Sequence, residues 1–97
     1  MTMNGFKEAK SQVLRALAEG SYQHELRGAI ERKNLFYTGQ VSANEVAEIL
    51  VKCTGRDHVQ TPHHLVPSLP VHVFKKQGWY IKFYKLDPDV MFISVHR

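Results

Sequence analysis

Six side chains in the second half of this 97-residue chain have the types and spacing to move protons and hold phosphate: His72, Tyr80, Lys82, Tyr84, Ser94 and His96. Five of them lie in WYIKFYKLDPDVMFISVHR, Trp79 to Arg97, which reads as a two-stranded hairpin turning at DPD. Centring the turn on Pro88 pairs Leu86 with Val90, so Tyr84 faces Phe92, Lys82 faces Ser94 and Tyr80 faces His96. Side chains alternate across a strand, so these residues share one side of the sheet. Phe83, Ile81, Ile93 and Val95 fill the other side, the core face, with Lys85 and Met91 at its end. VHVFK supplies the preceding strand. A turn at Lys76-Gln77-Gly78 sends Val71 and Val73 to the core and adds His72 and Phe74 to the open face. A two-residue turn at Gln77-Gly78 gives the opposite result, because a one-residue slip flips every side chain.

An open face of this kind suits cleavage of RNA without a metal. The ribose 2′-hydroxyl attacks the adjacent phosphorus while a base takes its proton, a cation steadies the crowded phosphorane and an acid protonates the leaving oxygen. His and Tyr handle protons, Lys and Arg supply charge, and aromatic rings stack on unpaired bases. The plainer reading is that Tyr and Lys are good exposed-strand residues and His96 is solvated. His58, His63, His64 and His72 also raise a metal site, but their spacing matches no familiar zinc pattern and no Cys, Asp or Glu completes the set. No metal or cofactor is expected, and no phosphate loop or nucleophile elbow is present.

The elements that must position these groups are readable in outline. Asn4 to Glu19 forms a first helix with Phe6, Val13, Leu14 and Leu17 as its stripe and Gly20 as its stop. A second helix is expected from Glu25 to Lys33, with Leu26 and Ile30 four apart. SANE, Ser42 to Glu45, is a capping box opening a third helix whose stripe is Val46, Ile49, Leu50 and Cys53, ended by Gly55. Cys53 on that stripe is a packed core thiol. The stretch RDHVQTPHHLVPSLP is a loop with a short extended piece near Val59. The fold class is therefore α+β, with N-terminal helices on one face of a C-terminal antiparallel sheet of three strands or slightly more.

One domain, residues 1–97, accounts for the length. No apolar run is long enough to span a membrane, and the start lacks the layout of a secretory signal, so the cytoplasm is the expected compartment. Through Val51 six Lys/Arg balance six Glu; from Lys52 onward seven Lys/Arg face three Asp, so the whole net charge of +4 lies in the second half. Five of the six histidines lie there too. Such a basic half suits a polyanion such as RNA.

The chain resembles the MqsR family of bacterial toxins, ribonucleases of the RelE-like fold that pair with an antitoxin protein. SQVLRALAEG (Ser11 to Gly20) is similar to the family's first helix and its Gly stop, VSANEVAEIL to a second helical segment and GRDHVQT to the loop after it. The best match is WYIKFYKLDPDVMFISVHR, with its Tyr80-Ile81-Lys82 step and its closing Ser94-Val95-His96. The resemblance implies a RelE-like fold, RNA as substrate and an antitoxin as partner. It puts the family's active-site tyrosine on Tyr80, its lysine near the C-terminus on His96, its loop lysine on or near Gln60 and its glutamine around Val71 or His72. One of those four types is retained. The expected catalytic set is thus Tyr80, His96 and His72, with Lys82, Tyr84, Arg56, Gln60, His63 and His64 binding substrate. The alternatives are a non-catalytic module of the same fold that binds protein or nucleic acid, and a stand-alone domain of another role.

Overall fold

The computed structural model describes residues 5–97, and Asn4, the expected start of the first helix, lies outside them. Helix α1 (Gly5–Glu19) buries Ala9, Val13, Ala16 and Leu17, whose three- and four-residue spacing makes one apolar stripe. Gly20, at φ 78°, closes it, and the Ser21 amide reaches back to the Ala16 carbonyl at 3.0 Å. Those are the positive φ and the long back-bond of a Schellman stop. Helix α3 (Ala43–Val51) opens on the expected capping box, with Glu45 N donating to Ser42 Oγ and Ser42 N to Glu45 Oε1. Val46 and Leu50 are its buried anchors.

Five strands form one mixed sheet: β1 (Tyr22–His24), β2 (His58–Pro62), β3 (Pro70–Lys76), β4 (Trp79–Leu86) and β5 (Asp89–His96), in the order β1-β5-β4-β3-β2. Strands β2 to β5 are antiparallel, while β1 runs parallel to β5. The expected three-stranded sheet thus gains an edge strand on each side. Helices α1 and α3 cover one face, where Phe74, Ile81, Phe83, Val90, Phe92 and Val95 join Val13, Leu17, Val46, Leu50 and Cys53 in the main core. Cys53 is buried there, as its place on the stripe required, and burial pushes its thiol up. A smaller cluster of Val71, Tyr84 and Ile93 lies on the other face, with Leu69 and Met91 against it.

Two turns decide which side chain meets which face. The β3–β4 turn is the two-residue form, with Lys76 opposite Trp79 and Gln77 and Gly78 both at positive φ. That geometry matches the twist of the flanking strands. It sends His72 and Phe74 to the helix side and Val71 and Val73 to the open side, the reverse of the three-residue turn. The β4–β5 turn is also one residue shorter than centring on Pro88 gives, pairing Leu86 with Asp89. Ile93 then bulges between the Lys82–Ser94 and Phe83–Phe92 pairs and restores the register. Tyr80–His96 and Lys82–Ser94 therefore pair as the sequence implies. Below the bulge the faces swap: Val90 and Phe92 enter the core, while Met91 and Ile93 turn outward.

The expected helix at 25–33 shrinks to one turn, α2 (Ile30–Lys33), entered through Ala29 at φ 62° without a side-chain cap. Before it, the Glu25 amide still bonds the Phe92 carbonyl at 2.9 Å; after it, the Leu35 amide bonds the Val95 carbonyl at 2.7 Å. The chain from Glu25 to Leu35 thus leaves the edge of β5, loops outward and returns to the same edge. Buried Asn34 fixes the return: its Nδ2 donates to His24 Nδ1 at 3.0 Å and its Oδ1 accepts from the Tyr37 amide at 2.9 Å.

Candidate active site

The outward loop walls a cleft of about 300 Å³ on the open face. Its floor is Tyr80 and Lys82 from β4 and Ile93, Ser94 and His96 from β5; Arg27, Gly28, Ile30 and Lys33 form its side. The bulge at Ile93 brings Ile93 and Ser94 to this face together. The Tyr80 and His96 rings stack, with centroids 5.0 Å apart and planes at 22°. His96 Nδ1 lies 3.2 Å from the Arg97 carbonyl. That main-chain oxygen can only accept, so the contact places a proton on Nδ1, and in the neutral ring Nε2 carries the lone pair. Among the described residues, neither Lys33 nor Lys82 forms an ion pair. The cleft therefore holds a phenol, an imidazole, a hydroxyl and three cations.

Arg27 is held by a partly buried network. Its Nε and one terminal nitrogen donate to Glu25 Oε2, and that terminal nitrogen also lies 3.2 Å from His64 Nδ1. The other carboxylate oxygen, Oε1, accepts from the Tyr84 hydroxyl at 2.6 Å and from His63 Nε2 at 3.4 Å. His63 Nδ1 accepts the Leu65 and Val66 amides at 3.1 and 3.3 Å, which fixes the ring proton on Nε2, facing Glu25. Burial alone would raise the Glu25 carboxyl, but the Tyr84 and Arg27 hydrogen bonds, the Arg27 charge and His63 outweigh it and lower it. Tyr84 is pushed up to about 12 by burial and by the Glu25 bond and charge, so it stays a protonated phenol at neutral pH.

The expected site residues therefore separate. Tyr80, Lys82 and His96 share the cleft. Tyr84 and His63 are buried next to it and act on Arg27 through Glu25, and exposed His64 touches Arg27 directly. His72 and Gln60 face the helices instead, opposite one another across β2 and β3, and line a separate hollow of about 220 Å³ beside α1. His72 Nδ1 lies 2.9 Å from His58 Nε2, and burial followed by the His58 charge lowers it to about 4. Arg56 is exposed in the 3₁₀ turn Gly55–Asp57 and is not among the cleft's lining residues.

The sequence alone places Arg27, Lys33 and Glu25 on a helix and does not mark them as site residues. Gly28, inside a segment with only two stripe residues, was the available signal. A larger hollow, about 620 Å³ beside α3, is lined by Asn44, Ala47, Glu48, Val51 and Lys52 and brings together no imidazole or phenol. Among the described residues, no three His, Cys, Asp or Glu side chains are grouped to hold a metal ion, and no helix is long and apolar enough to cross a membrane. Comparison with protein-family models, with curated proteins and with solved structures returns no match for this chain.

Proposed function

We propose that the open-face cleft cleaves RNA, and that the protein is the toxin of a toxin–antitoxin pair acting on cytoplasmic RNA. The observation that carries the cleavage reading is the meeting of the stacked Tyr80–His96 pair with Lys82, Arg27 and Lys33 in one cleft. In the proposed reaction, His96 Nε2 takes the proton of the ribose 2′-hydroxyl as its oxygen attacks phosphorus. Lys82, Arg27 and Lys33 stabilise the added charge, and the Tyr80 phenol protonates the departing 5′ oxygen. The products are a 2′,3′-cyclic phosphate and a free 5′-hydroxyl. The side-chain cations supply the charge that a metal ion supplies elsewhere, which makes the mechanism metal-independent.

The toxin role and the RelE-like fold rest on the resemblance of Ser11–Gly20 and Trp79–Arg97 to the MqsR family. Helices on one sheet face with the Tyr80–His96 hairpin opposite support that reading. His72 and Gln60 do not serve it, because both lie on the far face. The test is tightly regulated expression in a bacterium, comparing the wild type with Tyr80→Ala, together with RNA cleavage by the purified protein in chelator. Growth arrest and RNA loss in the wild type alone are expected, as is a small acidic antitoxin encoded next to the gene. Intact RNA from soluble protein would reject cleavage.

A second reading is a module without catalysis that binds protein or nucleic acid. It is favoured by the exposed Leu26 and Leu65, 70% and 74% accessible, which flank the touching Arg27 and His64 and offer a protein partner apolar surface. Salt-sensitive RNA binding without cleavage would select it.

A further inference from the structure

The cleft does not end at its aromatic pair. Tyr80 and His96 also line a second concavity, of about 580 Å³, between the β3–β4 turn and the end of β5. Its other walls include Lys75, Lys76, Trp79 and Arg97. The Arg97 guanidinium lies over the Trp79 ring, 4.8 Å from its centroid, and Lys75 Nζ lies 5.7 Å from the centroid of Tyr80. Its one acidic wall residue, Asp57, is paired with Lys76 at 3.5 Å. Among the described residues, neither Lys75 nor Arg97 forms an ion pair.

Two cationic hollows therefore meet at one shared ring pair. A small anion would need only one of them. A polynucleotide carries a phosphate at every unit and a flat face on every base, so it can use both the repeated charge and the aromatic surfaces. The path also turns: Tyr80 and His96 lie on the open face, whereas Trp79 packs against the helix-side core. A base-paired helix is too stiff to bend over a strand end, and its bases are not free to stack.

We propose that the strand-end concavity is a second nucleotide subsite, so that the ligand is a single-stranded RNA segment crossing the Tyr80–His96 pair from one hollow into the other. This rests on the reading of the cleft as an RNA site. The Lys75 amine and the Arg97–Trp79 stack hold the phosphate and base beyond the scissile unit.

Trp79 is the sole tryptophan, so its emission reports this subsite directly. The test is titration with 2′-O-methyl oligonucleotides of two to eight units, whose blocked 2′ oxygen prevents cleavage. Affinity is read by the anisotropy of a labelled oligonucleotide. Quenching of Trp79 that follows the binding curve from the tetranucleotide upward is expected, with binding to an RNA duplex at least tenfold weaker. Lys75 and Arg97 are both exposed, and Lys75→Ala and Arg97→Ala should each flatten the slope of log affinity against log salt by about 0.7. Suppose the oligonucleotides bind and Lys82→Ala weakens them, while Trp79 emission and both salt slopes stay unchanged. The subsite is then overturned and the cleft survives. Equal binding of the duplex overturns the single-strand assignment. No binding at low salt, with RNA cleavage indifferent to Tyr80→Phe, overturns the cleft reading and the subsite with it.

Discussion

The sheet carries a stacked ring pair on each face, and the two behave oppositely. His58 and His72 stack at 5.2 Å between the sheet and α1, against Phe6 and Phe74. Tyr80 and His96 stack at 5.0 Å on the open face among Lys82, Lys75 and Arg27. The first pair spends one ring nitrogen of each on the other, and burial lowers both histidines. The second lines an open cleft of about 300 Å³. Residue type alone does not make a proton-transfer site. Access to solvent and to a reacting group decides, and here strand register decides access.

The comparison breaks most directly at Tyr80 and His96. Tyr80→Phe and His96→Ala should each lower RNA cleavage by about 10²–10⁴-fold, with unfolding free energies moved by less than about 0.5 kcal/mol; gel-based cleavage and denaturant unfolding check both halves. The buried pair should show the reverse behaviour. A histidine lowered to about 4 from 6.5 favours the neutral ring in the folded chain. Its contribution is complete above about pH 6.5 and is lost as pH falls towards 4, on the order of 3 kcal/mol for His72. His24 and His58, lowered by burial, act in the same direction. Unfolding midpoints measured across that window should fall with acid, and His72→Gln should flatten the fall without abolishing RNA cleavage.

Smaller effects sharpen the picture of the cleft wall. Asn34→Ala strands His24 Nδ1 and the Tyr37 amide and should cost about 2 kcal/mol in thermal unfolding. Burial raises Tyr84 first, and Glu25→Gln removes the carboxylate whose bond and charge add to it. An alkaline absorbance titration should then show the phenol falling only part of the way from about 12, and RNA affinity should change only a few-fold. Ser42→Ala, remote from both ring pairs, should cost about 1 kcal/mol through the lost cap and leave cleavage unchanged.

Much of the open face was legible because its strands alternate cleanly. Tyr80, Lys82, Ser94 and His96 came out together even though the turn was read one residue too long, since the bulge at Ile93 cancels the error. Nothing in VMFIS marks that bulge, and so Phe92 and Ile93 were exchanged. His72 went to the wrong face for a related reason: both turn lengths fit KKQGW, and only the positive φ at Gln77 and Gly78 separates them. Strand β1 is three residues long and too short for a pattern. The loop at Glu25–Ala29 looked helical because Leu26 and Ile30 are four apart, yet Leu26 is largely exposed, so the apparent stripe buries nothing. Whether a residue pair marks a helix depends on what it packs against, and that partner was absent from the local sequence.

The position of β5 has a consequence for synthesis. It is the last strand in chain order and lies between β1 and β4 in the sheet. Its pairing of Tyr22 with Val90 joins residues 68 positions apart, a long-range closure of the kind that slows folding. A growing chain on the ribosome that still lacks β5 has no Phe92 or Val95 to complete the core, no edge to anchor the Arg27 loop and no His96. The β5 side of the floor, the anchorage of the wall and the imidazole all arrive with the same eight residues, so the cleft cannot close before β5 is made.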